Sequence, residues 1–357
     1  MEIKISLMPE DKRGSVPEDE SKLDFGKIFT DHMYTSFFKN DNWGESCIEI
    51  FGPFVLSPAA LVLHYSQEIF EGMKAFRQAN KKDISLFRPE KNAKRMKDSA
   101  IRMCMPPFPE NDFLEALHSL IDIDRKWVPY NPGTSLYIRP TMIATESLLG
   151  HRKSREYLFY VILSPVGPYF KEGFKPIKIY VEPKYVRAVK GGVGEAKTGG
   201  NYAATLYAMD KAFELGCSQV MWLDAVEHKY IEEVGTMNQF FVLDDVIYTA
   251  PIEGTILKGV TRESVITLAK DKGYKVKEEF LSIDTVLEAI NSGNLSEAFG
   301  AGTAASIAPV GELYYKDKVY KINNNEVGPI SKDLYQTLTG IQYGRIDDPY
   351  GWNVVIK

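Results

Sequence analysis

Lys197 is the residue whose setting most invites covalent chemistry. It lies in the run GGVGEAKTGGNYAA at 191–204, with five glycines within six residues on either side and one other charge, Glu195. Glycines let backbone approach a ligand closely, and a lysine in an apolar, crowded site can lose its proton and act as a nucleophile. The bland alternative is a flexible loop with an incidental lysine. A third reading is a phosphate-binding loop, because Gly191 to Thr198 reads G-x-x-x-x-A-K-T. The strand QVMWLD, ending at Asp224, imitates the magnesium-binding strand of a nucleotide hydrolase. Ala196 stands where that loop needs glycine, however. Gly199 and Gly200 would also fall inside the helix that must open at the Lys–Thr pair, each costing about 1 kcal/mol relative to Ala.

Other signals are weak singly. The run Ile231-Glu232-Glu233-Val234-Gly235-Thr236-Met237-Asn238 sets carboxylates in an apolar, glycine-containing segment. An acid there is usually a solvated loop charge, which is the expectation for Glu232. Gly259-Val260-Thr261-Arg262 opens a helix, where free N–H groups and the helix dipole favour an anion. Arg88, Lys94 and Arg95 are candidate cationic partners for that anion, and residue type alone does not choose among them. Gly300 to Ala305 is a small-residue turn against which a ligand could sit. Together these features ask for one ligand with a phosphate, a ring nitrogen and an aldehyde. Pyridoxal phosphate (PLP) has all three, and an acid against its pyridine nitrogen keeps that nitrogen protonated, making the ring an electron sink.

The elements that must position these residues are mixed. Residues 45–65 read as strand-rich, with Ile48, Ile50, Phe54 and Leu61-Val62-Leu63. Helices are predicted over 89–105, opened by Pro89, and over 110–127, with Phe113, Leu117, Leu120 and Ile121 on one face. SLYIRPTMIA and YLFYVILS follow as strands, then the loop-like PVGPYFKEGFKP. Beyond it come strand IKIYVE, a helix over 201–215 ending at Gly216, strand QVMWLD, a hairpin at Asp244–Asp245 and a helix over 261–272. Strand VKEEFLS, helix IDTVLEAI and a terminal helix from about 330 complete the order. This is a mixed α/β (α+β) pattern in two domains: 1–170, an interdomain loop over 171–180, and 181–357, the N-terminal domain being the smaller.

Composition bounds the partners. A net charge of -5 argues against a general nucleic-acid binder, and no apolar run approaches the ~20 residues that span a bilayer. The N-terminal residues lack the features of a signal or transit peptide. Cys47, Cys104 and Cys217 form no C-x-x-C, so neither structural disulfides nor a metal site is expected, and the reading is a reduced, cytoplasmic protein.

The separated blocks resemble the branched-chain amino-acid aminotransferases, of the fold-type IV PLP enzymes. They are FTDHM at 29–33, LHYSQEIFEGMKAFR at 63–77, LFRPEKNAKRM at 86–96, LYIRP at 136–140, GGVGEAKTGGNYAA, EVGTMN at 233–238 and FGAGTAA at 299–305. The resemblance implies two α/β domains with PLP between them, in a homodimer whose partner chain helps close each pocket. It implies that Lys197 forms the Schiff base, that Glu233 faces the pyridine nitrogen and that Tyr202 faces the ring oxygen. It assigns the phosphate to Arg95, with Val260, Thr261 and Thr303. Phe25, Tyr65, Phe70, Tyr137, Arg139, Tyr169, Thr236 and Ala304 resemble the substrate pocket. Substrates would be L-leucine, L-isoleucine or L-valine with 2-oxoglutarate. Arg139, helped by the hydroxyls of Tyr65 and Tyr137, is the candidate to meet the second carboxylate of glutamate. D-amino-acid aminotransferase and aminodeoxychorismate lyase are the neighbouring alternatives. Some family members carry a C-x-x-C after the Thr–Ala pair, where this chain has Ala305 and Ala308.

Overall fold

The computed structural model describes residues 2–169 and 173–356. They fall into two compact units, one of Met1–Tyr169, Ala196–Gly199 and Ile341–Lys357, the other of Phe170–Glu195 and Gly200–Gly340.

The first unit is one large sheet backed by helices. Its strands are β1 (Ile3–Ile5), β2 (His32–Lys39), β3 (Asn42–Ile50), β4 (Glu68–Phe70), β5 (Met73–Arg77), β6 (Ile84–Phe87), β7 (Ser135–Ala144) and β8 (Tyr157–Val166). The order is β1-β3-β2-β8-β7-β5-β6, the C-terminal strand Asn353–Ile356 adds to β6, and β4 pairs with β7. Alternation along β7 decides what each face does. Leu136, Ile138, Met142 and Ala144 enter a core with helices α2 (Pro89–Arg102) and α3 (Glu110–Ile123), which follow the single turn α1 (Leu61–Tyr65) and contribute Ala93, Met96, Phe113, Leu117 and Leu120. Tyr137, Arg139 and Thr141 therefore stand on the other face, with Lys74 and Phe70 opposite Tyr137 and Thr141 in register.

The second unit contains β9 (Ile177–Val181), β10 (Gln219–Leu223), β11 (Ile231–Val234), β12 (Met237–Leu243), β13 (Val246–Thr249), β14 (Lys275–Glu278), β15 (Leu295–Gly302), β16 (Ser306–Tyr315) and β17 (Lys318–Lys321). The ladder β11-β10-β9-β16-β15-β12 closes on itself, because β11 also pairs with β12. The hairpin at Asp244–Asp245 is present, with φ of 48° and 60° at the two turn residues. The helix opened by Gly259 runs Val260–Asp271, and the terminal helix runs Pro329–Gln342.

Several expectations are corrected. Leu61–Tyr65 is a single helical turn, not strand; so short an apolar run carries no usable periodicity. The helix expected over 201–215 is two, Gly199–Ala203 and Leu206–Glu214; at the break the Thr205 N–H and hydroxyl both donate to the Tyr202 carbonyl. The chain's end belongs to the first unit through the Asn353–Ile356 pairing, which makes that unit the larger. Of the expected interdomain loop, 171–172 lie outside the described residues, and Ile177–Val181 is already strand.

Candidate active site

In the first unit the lysine segment is bound like an extra strand. The Phe70 N–H donates to the Lys197 carbonyl at 3.0 Å, and the Thr198 hydroxyl donates to the Glu68 carbonyl at 2.7 Å. From the other side the Lys197 N–H donates to Ser99 Oγ at 3.0 Å. The Glu68 carboxylate occupies the space that a Cβ at Gly199 would take. The Lys197 ammonium consequently rests over the Phe70 ring, 4.8 Å from its centroid. No long helix opens at the Lys–Thr pair, and the Thr198 hydroxyl is already engaged, so the hydrolase reading loses its geometry.

One face of α2 serves this segment. Asn92, Arg95 and Ser99 are buried at i, i+3 and i+7, the spacing that stacks side chains along a helix. Arg95 Nε and Nη2 grip both oxygens of Glu71, at 2.7 and 2.8 Å, and Asn92 adds a third donor at 2.8 Å. Burial pushes the Glu71 carboxyl up, but the charges of Arg95 and then Lys197 prevail and hold it below the usual range. Arg88 stands at the N-cap position of α2 in a left-handed conformation (φ 51°), with its guanidinium over the Trp352 ring.

The non-core face of β7 carries the rest of the first unit's set. Arg139 Nη2 donates to the Tyr137 hydroxyl at 3.0 Å, and its guanidinium covers the Phe70 and Tyr137 rings. Phe25 meets Tyr137 and Tyr169 edge-on, at 4.8 and 5.4 Å between centroids. The structure thus brings together Phe25, Phe70, Tyr137, Arg139 and Tyr169. The Tyr65 hydroxyl donates to the Leu149 carbonyl at 2.5 Å. Lys74 was missed by sequence reasoning. It stands beside Tyr137 in register, and burial pushes its amine down to about 8. Strand alternation from Tyr137 is the signal that could have found it.

In the second unit Glu233 is buried and its position is fixed from several sides. Oε1 accepts from the Leu257 N–H at 2.9 Å and from Asn238 Nδ2 at 3.1 Å, while Oε2 lies 3.0 Å from Arg187 Nε. That last contact is an ion pair and not an aligned hydrogen bond. Asn238 also faces Gly259, where a Cβ would strike its Oδ1, so the start of the Val260–Asp271 helix is seated against the Glu233 group. No side chain caps that helix, and Val260 and Thr261 are buried in its first turn. Its leading N–H groups therefore make a cradle for an anion. Thr236 forms the two-residue β11–β12 turn with Gly235 (φ 55°), and its carbonyl packs on Gly302, next to Thr303 and Ala304. Tyr202 lies in the short helix after the lysine segment and is half-buried.

Glu232 departs from expectation. It is not a solvated loop charge: it is 5% exposed, and one oxygen accepts from the Thr255 hydroxyl at 2.6 Å. A register shift in the β10–β11 ladder makes it the extra residue of a bulge, a device that re-aims side chains.

These features fit a cofactor carrying an aldehyde, a protonated ring nitrogen and a phosphate. In the first unit Lys197 suits an aldehyde and Arg95 an anion; in the second the uncapped helix start suits a phosphate and Glu233 a protonated ring nitrogen. Among the described residues no cluster of three or more His, Cys, Asp or Glu could hold a metal ion, and no helix is long and apolar enough to cross a membrane.

Residues 68–313 match the family described as amino-transferase class IV. Branched-chain-amino-acid aminotransferase 2 of Bacillus subtilis is 50% identical over 339 residues, covering 95% of this chain and 93% of that protein. The branched-chain-amino-acid aminotransferase of Mycolicibacterium smegmatis is 46% identical, covering 92% and 90%. A solved structure shares the fold: the branched-chain amino acid aminotransferase from Escherichia coli aligns with a TM-score of 0.73 at 26% identity, covering 91% of this chain and 99% of that one.

Proposed function

This chain belongs to the class IV aminotransferases and, among them, to the branched-chain-amino-acid aminotransferases, and from that membership we propose its reaction and the role of each residue. It moves the amino group between L-leucine, L-isoleucine or L-valine and 2-oxoglutarate, using PLP. The observation that carries this reading is the clamped backbone of Lys197, the one lysine of its glycine-rich segment, which leaves the ammonium presented over Phe70.

The cofactor, when bound, supplies an aldehyde that takes up the amino group and a ring that withdraws electrons. Lys197 holds that aldehyde at rest, then moves a proton at the substrate α-carbon as base and acid. Arg95, the leading N–H groups at Val260 and Thr261, and Thr303 hold the phosphate. Glu233 faces the ring nitrogen and Tyr202 the ring oxygen. Phe25, Phe70 and Tyr169 receive the branched side chain, with Tyr65, Thr236 and Ala304 completing the pocket. Arg139, presented beside the Tyr137 hydroxyl, meets the second carboxylate of glutamate. The first oxo acid leaves before the second substrate enters, which is ping-pong kinetics.

The protein works as a cytoplasmic homodimer. Val55, Leu63 and Leu149 in the first unit are apolar and at least 60% exposed, a surface that a second copy would cover. The test is an assay of glutamate formation from L-leucine and 2-oxoglutarate, run beside D-alanine. Turnover confined to the L-branched substrates supports the reading, and turnover confined to D-alanine replaces it with the D-amino-acid alternative.

A further inference from the structure

Glu233, the acid assigned to the ring nitrogen, does not stand alone. Arg187 Nε lies 3.0 Å from its Oε2, with the arginine side chain 8% exposed. An arginine so placed partly cancels the negative charge that a pyridinium needs as its partner. The same arginine reaches further. Its Nη2 donates to the Thr255 carbonyl and to the Gly194 carbonyl. The Thr255 hydroxyl in turn donates to Glu232 Oε1 at 2.6 Å. Glu232, Thr255, Arg187 and Glu233 are therefore one continuous buried chain of polar contacts.

The charge of that chain is the informative quantity. Glu233 and Arg187 sum to zero, and a bound cation gains little beside a neutral pair. With Glu232 ionised the group carries one net negative charge, which a protonated ring nitrogen would balance. The β10–β11 bulge is what admits two consecutive carboxylates to the interior. Burial pushes the Glu232 carboxyl up, opposed by the Thr255 hydrogen bond and the Arg187 charge, while Glu233 and Asp224 act in the same direction as burial. Glu232 also lines a small pocket together with Gln239, Tyr248, Thr249 and the exposed Glu279.

We infer that Glu232 is a positioning residue for Glu233: acting through Thr255 and Arg187, it restores the negative charge that lets Glu233 hold the ring nitrogen protonated. This inference rests on the assignment of Glu233 to that nitrogen. It gives Glu232 no contact with substrate or cofactor.

The test uses holoenzyme reconstituted with PLP labelled with ¹⁵N in the ring, whose chemical shift reads protonation of that nitrogen directly. At a pH well above the carboxylate range, Glu232→Gln should lower the protonated fraction and reduce kcat about tenfold, the equivalent of one pKa unit at the nitrogen. The double variant Glu232→Gln/Arg187→Gln removes one charge of each sign and should regain protonation relative to the single variant. Thr255→Val keeps every charge but cuts the link, and should shift the nitrogen the same way by less. It also serves if the arginine variant does not fold. An unchanged ¹⁵N shift in Glu232→Gln overturns the inference. So does a lowered kcat without a change in shift, because that marks a merely structural role. Glu233→Gln is the control: if it too leaves the shift unchanged, the assignment of Glu233 has failed, and not only that of Glu232.

Discussion

Both oxygens of Glu71 are held by Arg95, at 2.7 and 2.8 Å, with the carboxylate fully enclosed and the guanidinium side chain 9% exposed. A guanidinium gripped along one edge loses its freedom to swing, so it is oriented before any anion arrives. That pairing decides how the first unit should respond to mutation and acid.

Glu71→Gln should cost about 3–5 kcal/mol of unfolding free energy near neutral pH, because it leaves a buried arginine without its counter-charge. The sign of the pH dependence follows from the lowered Glu71 carboxyl. Its stabilising contribution is present above the unfolded value of about 4.5 and is lost as pH falls through the lower folded value. The gap between wild type and variant should narrow through that acid window. Urea unfolding of both proteins across an acid series checks this, and a gap that widens in acid removes the pairing from the account.

Arg139→Met should separate the two substrate classes. The guanidinium stands among the Phe70 and Tyr137 rings, so an apolar replacement keeps the packing and removes the charge. In separate half-reactions, kcat/KM for L-glutamate should fall at least ~10-fold more than for L-leucine, about 1.4 kcal/mol of selective binding. Equal losses would make Arg139 a structural brace and send the second carboxylate elsewhere.

Mild oxidants should leave activity nearly intact. Ala305 and Ala308 stand where some relatives have a thiol pair, and Ala308 is buried against Gly300 in the β15–β16 ladder. Burial raises the Cys47 and Cys217 thiols, which reduces the reactive thiolate; Cys104 is exposed. Activity after peroxide, with and without dithiothreitol, is the measurement. Reversible inactivation would show that one of the three thiols affects the site.

Much of this site was legible because its residues sit in segments with local constraints. Strand β7 matches SLYIRPTMIA residue for residue, and its alternation presents Tyr137 and Arg139 together. Asp244 and Asp245 marked their own turn through their tolerance of positive φ. What was not legible depends on long-range neighbours. Glu232 looks like a surface acid until Thr255, 23 residues away in sequence, supplies a donor. Lys74 looks like an ordinary charged residue until its register partner, Tyr137, fixes the face it occupies.

Lys197 is proposed to hold the cofactor's aldehyde, and the visible spectrum of the purified protein reads that bond. The wild-type protein should be yellow, with a pH-sensitive band that L-leucine bleaches and 2-oxoglutarate restores. Lys197→Ala should lack that pH-sensitive band and turn over neither substrate, while Arg95 and the helix start still retain the phosphate. A wild-type protein that shows no chromophore after reconstitution, or a Lys197→Ala variant with full transamination, would contradict the account.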